Sequence, residues 1–199
     1  MKLHQKMIGM LAMSLLTTVV TPAFAHVSAM HSVHGFEAGF AHPFMGLDHL
    51  LAMLAVGIWA AQQRGISLWL LPAVFPMAMA AGAMMGINGM PLPFVEPGIA
   101  VSVLVLGLLI ASTAKLPMFM SIGLVSIFAI AHGYAHGIEM GARDAAIEFG
   151  AGFILATLLL HATGLIAALS ANRHLNKAVN RIVGGSIAVV GMFFVSALV

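Results

Sequence analysis

Residues 117–139 read PMFMSIGLVSIFAIAHGYAHGIE. From Pro117 to Ala131 the run is almost wholly apolar, and the whole stretch has the ~20-residue length that a helix needs to cross a hydrocarbon core. Its end carries His132, His136 and Glu139, at positions i, i+4 and i+7, so one helical face presents all three. A charged side chain at the centre of a bilayer costs about 3 kcal/mol on insertion scales, so such groups are rarely there without a partner or a ligand. Two imidazoles one turn apart reach one metal ion, and a carboxylate a turn further on ligates it or accepts the second ring N–H.

A second run has the same character. His42-Pro43-Phe44-Met45-Gly46-Leu47-Asp48-His49 opens another apolar segment. On a continuous helix His42, His49 and Met53 share a face, and Asp48 is turned away by one residue, placed to orient a histidine or to ligate where the helix entrance is distorted. Pro43 suits a first helical turn, and Gly46 permits close approach of another backbone. Imidazole with carboxylate is a donor set for divalent transition metals.

Composition defines the solvent. Of 199 residues 61% are hydrophobic and 7% charged, against about 25% charged in a soluble domain. The expectation is an all-α membrane protein whose main partner is the lipid bilayer. The absence of cysteine removes disulfides, thiolate metal sites and Fe–S clusters. No basic run is dense enough for nucleic acid.

The N-terminus reads as a cleavable signal peptide over 1–25. Lys2 and Lys6 form a positive n-region, Met7 to Val20 is a short apolar stretch, and Ala23-Phe24-Ala25 is a small-x-small cleavage site. Residues 26–41 then form an external segment, and 42–199 a six-helix transmembrane domain. Spans are expected at 43–62, 67–88, 94–113, 117–138, 145–169 and 179–198, with loops at Gln62–Gly65, Asn88–Pro93, Lys115–Pro117, Gly141–Asp144 and Asn172–Arg181. Starting outside a bacterial cytoplasmic membrane, this order leaves Arg64, Lys115, Arg173, Lys177 and Arg181 inside and only Arg143 outside, with both mature termini external. Trp59 and Trp69 flank the first inner loop, where interfacial aromatics belong. The sixteen methionines are read chiefly as flexible apolar filler. Gly82, Gly86, Gly133, Gly137, Gly150, Gly152, Gly184 and Gly185 are read as close helix packing.

That topology gathers the polar groups. His42, Asp48, His49, His132, His136 and Glu139 all fall toward the outer end, and these six are the expected metal ligands. Glu96 and Glu148 lie in first turns at the same end, where each either caps a helix dipole or serves the ion's path. The external segment adds His26, His31, His34 and Glu37, a capture arm or a solvated tail. His161, alone in the inner half, is expected to hydrogen-bond a neighbouring helix.

At these residues the sequence resembles the HupE/UreJ family of nickel permeases, bacterial membrane proteins associated with hydrogenase and urease maturation. The pattern His-x5-Asp-His matches at His42, Asp48 and His49. The pattern His-Gly-x-Ala-His-Gly-x-Glu matches at His132, Gly133, Ala135, His136, Gly137 and Glu139, with Ala131 where an aromatic often precedes. The resemblance covers essentially the whole mature chain. It implies uptake of Ni2+, with Co2+ or Zn2+ as other cargoes that the donors accept, by a permease with no catalytic residues and no organic cofactor, supplying hydrogenase or urease. No nucleotide-binding motif is present, so transport is passive or gradient-coupled; a homo-oligomer is compatible with the sequence. Binding needs neutral imidazoles, so uptake is expected to weaken as external pH falls toward the ordinary histidine pKa of about 6.5. Two other classes fit similar donors: an intramembrane zinc-dependent hydrolase and a haem-binding electron carrier with two axial histidines.

Overall fold

The computed structural model describes residues 35–140, 146–174 and 177–198. The signal-peptide stretch, His26, His31, His34, Arg143 and Asp144 lie outside them. The described residues form seven helices and no strand. They are α1 (Phe36–Met45), α2 (Leu47–Gln63), α3 (Ser67–Ile87), α4 (Val95–Ser112), α5 (Met118–Met140), α6 (Ala146–His174) and α7 (Lys177–Ser196). In lipid every backbone N–H and C=O must be satisfied within the chain, and a continuous helix does this wherever about 20 apolar residues run without a break. Five helices, α3 to α7, are long and apolar enough to cross a membrane.

The segment expected as the first span is instead a bent pair of helices. α1 and α2 together pass the same test, but the chain bends by 87° between them. The bend sits at Gly46, whose backbone is extended. Pro43, expected in the first turn of a span, instead lies in the last turn of α1. His42 and His49 therefore do not share one continuous helical face. They stand on two helices, and the bend turns them toward each other.

Small residues set the helix pairing. A methyl group on Gly133 would collide with the Met79 carbonyl, and one on Gly137 with the Ala83 carbonyl. Gly82 and Gly86 are equally tight against Ile130 and Tyr134. Both residue numbers rise together along these contacts, so α3 and α5 run parallel, backbone against backbone. Gly107, Gly184 and Gly191 join α4 to α7 in the opposite sense, with residue 107 beside 188 and residue 111 beside 184. Gly152 meets the α1 backbone at Phe36 and Phe40. Gly150 and Gly185 meet nothing within 4 Å, so close packing does not account for those two.

The bundle has two distinct ends. At one, the end of α2 is tied to the α4–α5 connection: Trp59 Nε1 donates to the Ala114 carbonyl at 3.1 Å, and Gln63 Nε2 to Ser121 Oγ at 2.9 Å. Arg181 Nε reaches the Ala111 carbonyl there, at 3.1 Å. At the other end lie the α1–α2 bend, the α3–α4 loop and the last turn of α5. This partition matches the alternating topology expected from the sequence. Trp69 is exposed, as an interfacial aromatic should be, but Trp59 is fully buried, because its indole N–H is used inside the bundle. The expected loop over Asn172–Arg181 is shorter than foreseen. α6 continues to His174 and α7 starts at Lys177, since polar residues with fair helix propensity extend a helix beyond its apolar part. Asn180 is buried in α7 and donates to the Ala168 carbonyl at 3.1 Å.

Around the outside the large side chains are apolar and exposed, among them Met77, Ile127, Ile166 and Val189. That is the surface of a protein solvated by lipid acyl chains. The buried core centres on α2, with Met53, Val56 and Trp59 packed against Leu71, Phe75, Leu106 and Val125.

Candidate metal centre

The bend at Gly46 and the glycine contacts of α5 bring four imidazoles together. His42 and His136 lie with ring centroids 4.6 Å apart, His136 and His49 4.6 Å, and His49 and His132 4.8 Å. α1, α2 and α5 each contribute, and α6 supplies an aromatic wall: Phe153 packs on His136 at 4.6 Å and Phe149 on His42 at 5.5 Å. His132 is fully buried and His136 nearly so.

Each ring is wired in a particular way. Asp48 lies at the start of α2, where a negative charge is favoured by the helix dipole. Its Oδ1 accepts from the His49 backbone N–H and from His49 Nδ1, both at 2.7 Å. A carboxylate only accepts, so the ring proton sits on Nδ1 and Nε2 carries the free lone pair. His132 reaches the same state by another route, because its Nδ1 donates to the Phe128 carbonyl at 3.0 Å. Gly46 leaves space for the Asp48–His49 pair, since a Cβ there would lie 2.8 Å from Asp48 Oδ1 and 3.0 Å from His49 Nδ1. Close approach of another backbone, the role expected for it, is not what it allows.

Glu139 is exposed and stands over the cluster. Its Oε2 is 3.5 Å from His136 Nδ1 and 3.9 Å from His42 Nε2. One ligand atom from each of His42, His136 and Glu139 lies within 4.8 Å of the other two. With metal–ligand bonds of about 2.1 Å, neighbouring ligand atoms sit roughly 3.0–3.4 Å apart, so a contraction of about 1 Å would close this triad on an ion.

Unpartnered atoms mark the same place. Among the described residues, six buried side-chain nitrogen or oxygen atoms make no hydrogen bond, and five of them are imidazole nitrogens. Four belong to the cluster: His49 Nε2, His132 Nε2 and both nitrogens of His136. Leaving such an atom unsatisfied costs about 1–3 kcal/mol, a cost that a bound cation removes.

The remaining expected residues are placed as follows. Glu37 is exposed in the first turn of α1, and the Glu148 side chain lies against Gly35 just before it. Glu96 is exposed in the first turn of α4, and no described contact joins it to the rings. A cleft of about 400 Å³ between α3, α5 and α6 opens beside His136 and is walled by Met79, Met84, Met140 and Phe153.

Some residues were not singled out from the sequence. Tyr134, inside the α5 motif, donates to the Met90 carbonyl at 2.7 Å and accepts from Leu92 N–H at 3.2 Å, pinning the α3–α4 loop over the site. Its position between the two histidines was the available signal. Phe149 and Phe153 had none, because in an apolar helix an aromatic beside a site looks like any other.

A multi-pass helical membrane protein that gathers imidazoles, three of them buried, and two carboxylates at one end of its bundle is the class that fold and site define. The particular family follows from comparison. The family model described as HupE / UreJ protein matches residues 13–194, and the chain belongs to that family, whose members are permeases and not enzymes. "Protein HupE" of Rhizobium leguminosarum bv. viciae is 40% identical over 176 residues, covering 88% of this chain and 92% of its own. No solved structure gives a significant match.

Proposed function

We propose that this chain is a secondary transporter that imports Ni2+, with Co2+ as a second cargo, across the bacterial cytoplasmic membrane to supply a nickel enzyme such as hydrogenase or urease. The observation that carries the reading is the set of four imidazole nitrogens buried without a hydrogen bond where α1, α2 and α5 meet, in a chain of a permease family. Glu139 and His42 take the ion first, because they are the most exposed of the set, and pass it to His136, whose ring lies 4.6 Å from that of His42. His49 and His132 take it next, each with Nε2 presented by a fixed tautomer. Asp48 and Glu139 offset the ion's charge, Asp48 through His49 and Glu139 directly. Glu37, Glu96 and Glu148, with His26, His31 and His34, form the approach from outside. The hydrolase alternative finds no support in a family of permeases, and rings packed 4.6–4.8 Å from one another leave no flat slot for a haem.

The test is reconstitution in liposomes with competing metals. Wild type should concentrate Ni2+ and Co2+ in preference to Zn2+, and His49→Ala and His136→Ala should each lower Ni2+ entry by about tenfold or more. Entry at the wild-type rate in both variants would remove the cluster from the path.

A further inference from the structure

Beyond the four-ring cluster, toward the opposite end of the bundle, the polar groups continue. His161 on α6 is fully buried, and its Nδ1 donates to the Pro72 carbonyl of α3 at 3.2 Å. That carbonyl is available for a reason written in the sequence. In a helix it would accept from residue 76, and residue 76 is a proline with no N–H. A carbonyl only accepts, so the proton sits on Nδ1 and Nε2 holds a lone pair. Nε2 is buried and makes no hydrogen bond among the described residues. The wiring repeats that of His132, with one nitrogen anchored on a backbone carbonyl and the other left free.

The two histidines are connected in space. Phe75, itself fully buried, has its ring centroid 6.0 Å from His132 and 5.1 Å from His161. The rings therefore form a continuous file: His42, His136, His49, His132, Phe75, His161. One turn before His161 on the same face of α6, the buried Thr157 hydroxyl donates to Met53 Sδ of α2 at 3.4 Å. An oxygen and a thioether, both neutral donors, thus flank this part of the bundle. The described acidic residues, Glu37, Asp48, Glu96, Glu139 and Glu148, are outside the stretches of α2, α3 and α6 that surround His161.

A histidine that only tied α6 to α3 would need one nitrogen, and the second would be a buried orphan costing about 1–3 kcal/mol. A serine hydroxyl would make such a tie with one polar side-chain atom, against two in an imidazole. We propose that His161 Nε2 is a second, inner binding station for the same divalent cation, reached past the Phe75 ring, with Thr157 and Met53 on the approach. The inference rests on the transport reading above. A station of one imidazole and neutral neighbours holds a divalent ion more weakly than the carboxylate-backed cluster, and an ion that must leave needs such a step.

The experiment measures Ni2+ binding and Ni2+ entry into liposomes with the full-length protein as wild type, His136→Ala and His161→Asn. Asparagine keeps an N–H for the Pro72 carbonyl but lacks the second ring nitrogen; His161→Gln serves where the asparagine variant does not fold. The expected result is that His161→Asn binds Ni2+ at the cluster within about twofold of wild type, loses a weaker second equivalent, and carries Ni2+ about tenfold more slowly. The d–d absorption of Co2+-loaded protein should lose one component in His161→Asn and a different one in His136→Ala. Wild-type flux with both equivalents retained in His161→Asn would overturn the inner station, and so would joint loss of both equivalents, which is the mark of a packing role. Wild-type protein that neither binds nor carries Ni2+ overturns the transport reading itself, so the two failures are told apart.

Discussion

At the residue scale the site is governed by which nitrogen of each ring is free. Asp48 accepts the Nδ1 proton of its neighbour His49 at 2.7 Å and so fixes that ring's tautomer. Partners of this kind typically account for a factor of 10–100 in metal affinity. Asp48→Asn should therefore weaken Ni2+ binding by about tenfold or more while leaving the helical content unchanged, as read by calorimetry and circular dichroism on purified protein. An affinity equal to wild type would show that His49 is oriented by something else. The identities of these groups were legible in the sequence because polar residues in an apolar segment stand out. Their roles were not, since a hydrogen bond between Asp48 and His49 depends on the backbone turn at Gly46.

At the element scale the α3–α5 contact positions the site. Gly133 and Gly137 flank His136 and Tyr134, and both touch α3 carbonyls, so the motif's glycines serve packing while its histidines serve the cluster. Gly133→Val should force the helices apart at a cost of about 1–3 kcal/mol or more, lowering the melting temperature in detergent and abolishing Ni2+ binding. Gly150→Ala and Gly185→Ala, where an added methyl meets nothing within 4 Å, should leave both unchanged or raise stability slightly. The small-residue spacing was readable as close packing, but not which helix each glycine meets. The 87° bend between α1 and α2 was not readable either. Phe44, Met45 and Leu47 beside Gly46 are apolar, and hydropathy carries no information about direction. Contacts of α1 with α6, at Gly39 against Phe149 and Gly152 against Phe36, hold the short helix in place after the turn.

At the scale of the whole molecule the prediction concerns topology. The chain has no cysteine, so single cysteines report cleanly on sidedness. Ile66→Cys and Lys115→Cys, at the end where Trp59 and Gln63 tie the loops, should be labelled by a membrane-impermeant thiol reagent only from the cytoplasmic side. Met90→Cys and Phe94→Cys, exposed at the histidine end, should be labelled only from the opposite side. Labelling of all four from one face would overturn the alternation.

The sequence by itself determined that the chain lives in a bilayer, where five of the six expected spans begin and end to within a few residues, and which end gathers the carboxylates with the paired histidines. These follow from local properties: a run of about 20 apolar residues must be a helix in lipid, and a charge within it is costly wherever the helix packs. Only the tertiary structure decided that the first span is bent, that His42 meets His136 across that bend, and that the Pro72 carbonyl freed by Pro76 is taken by His161. Those are pairings between residues far apart in the chain. They depend on how closely particular helices approach, which side-chain volume and backbone carbonyls set only once the bundle has assembled.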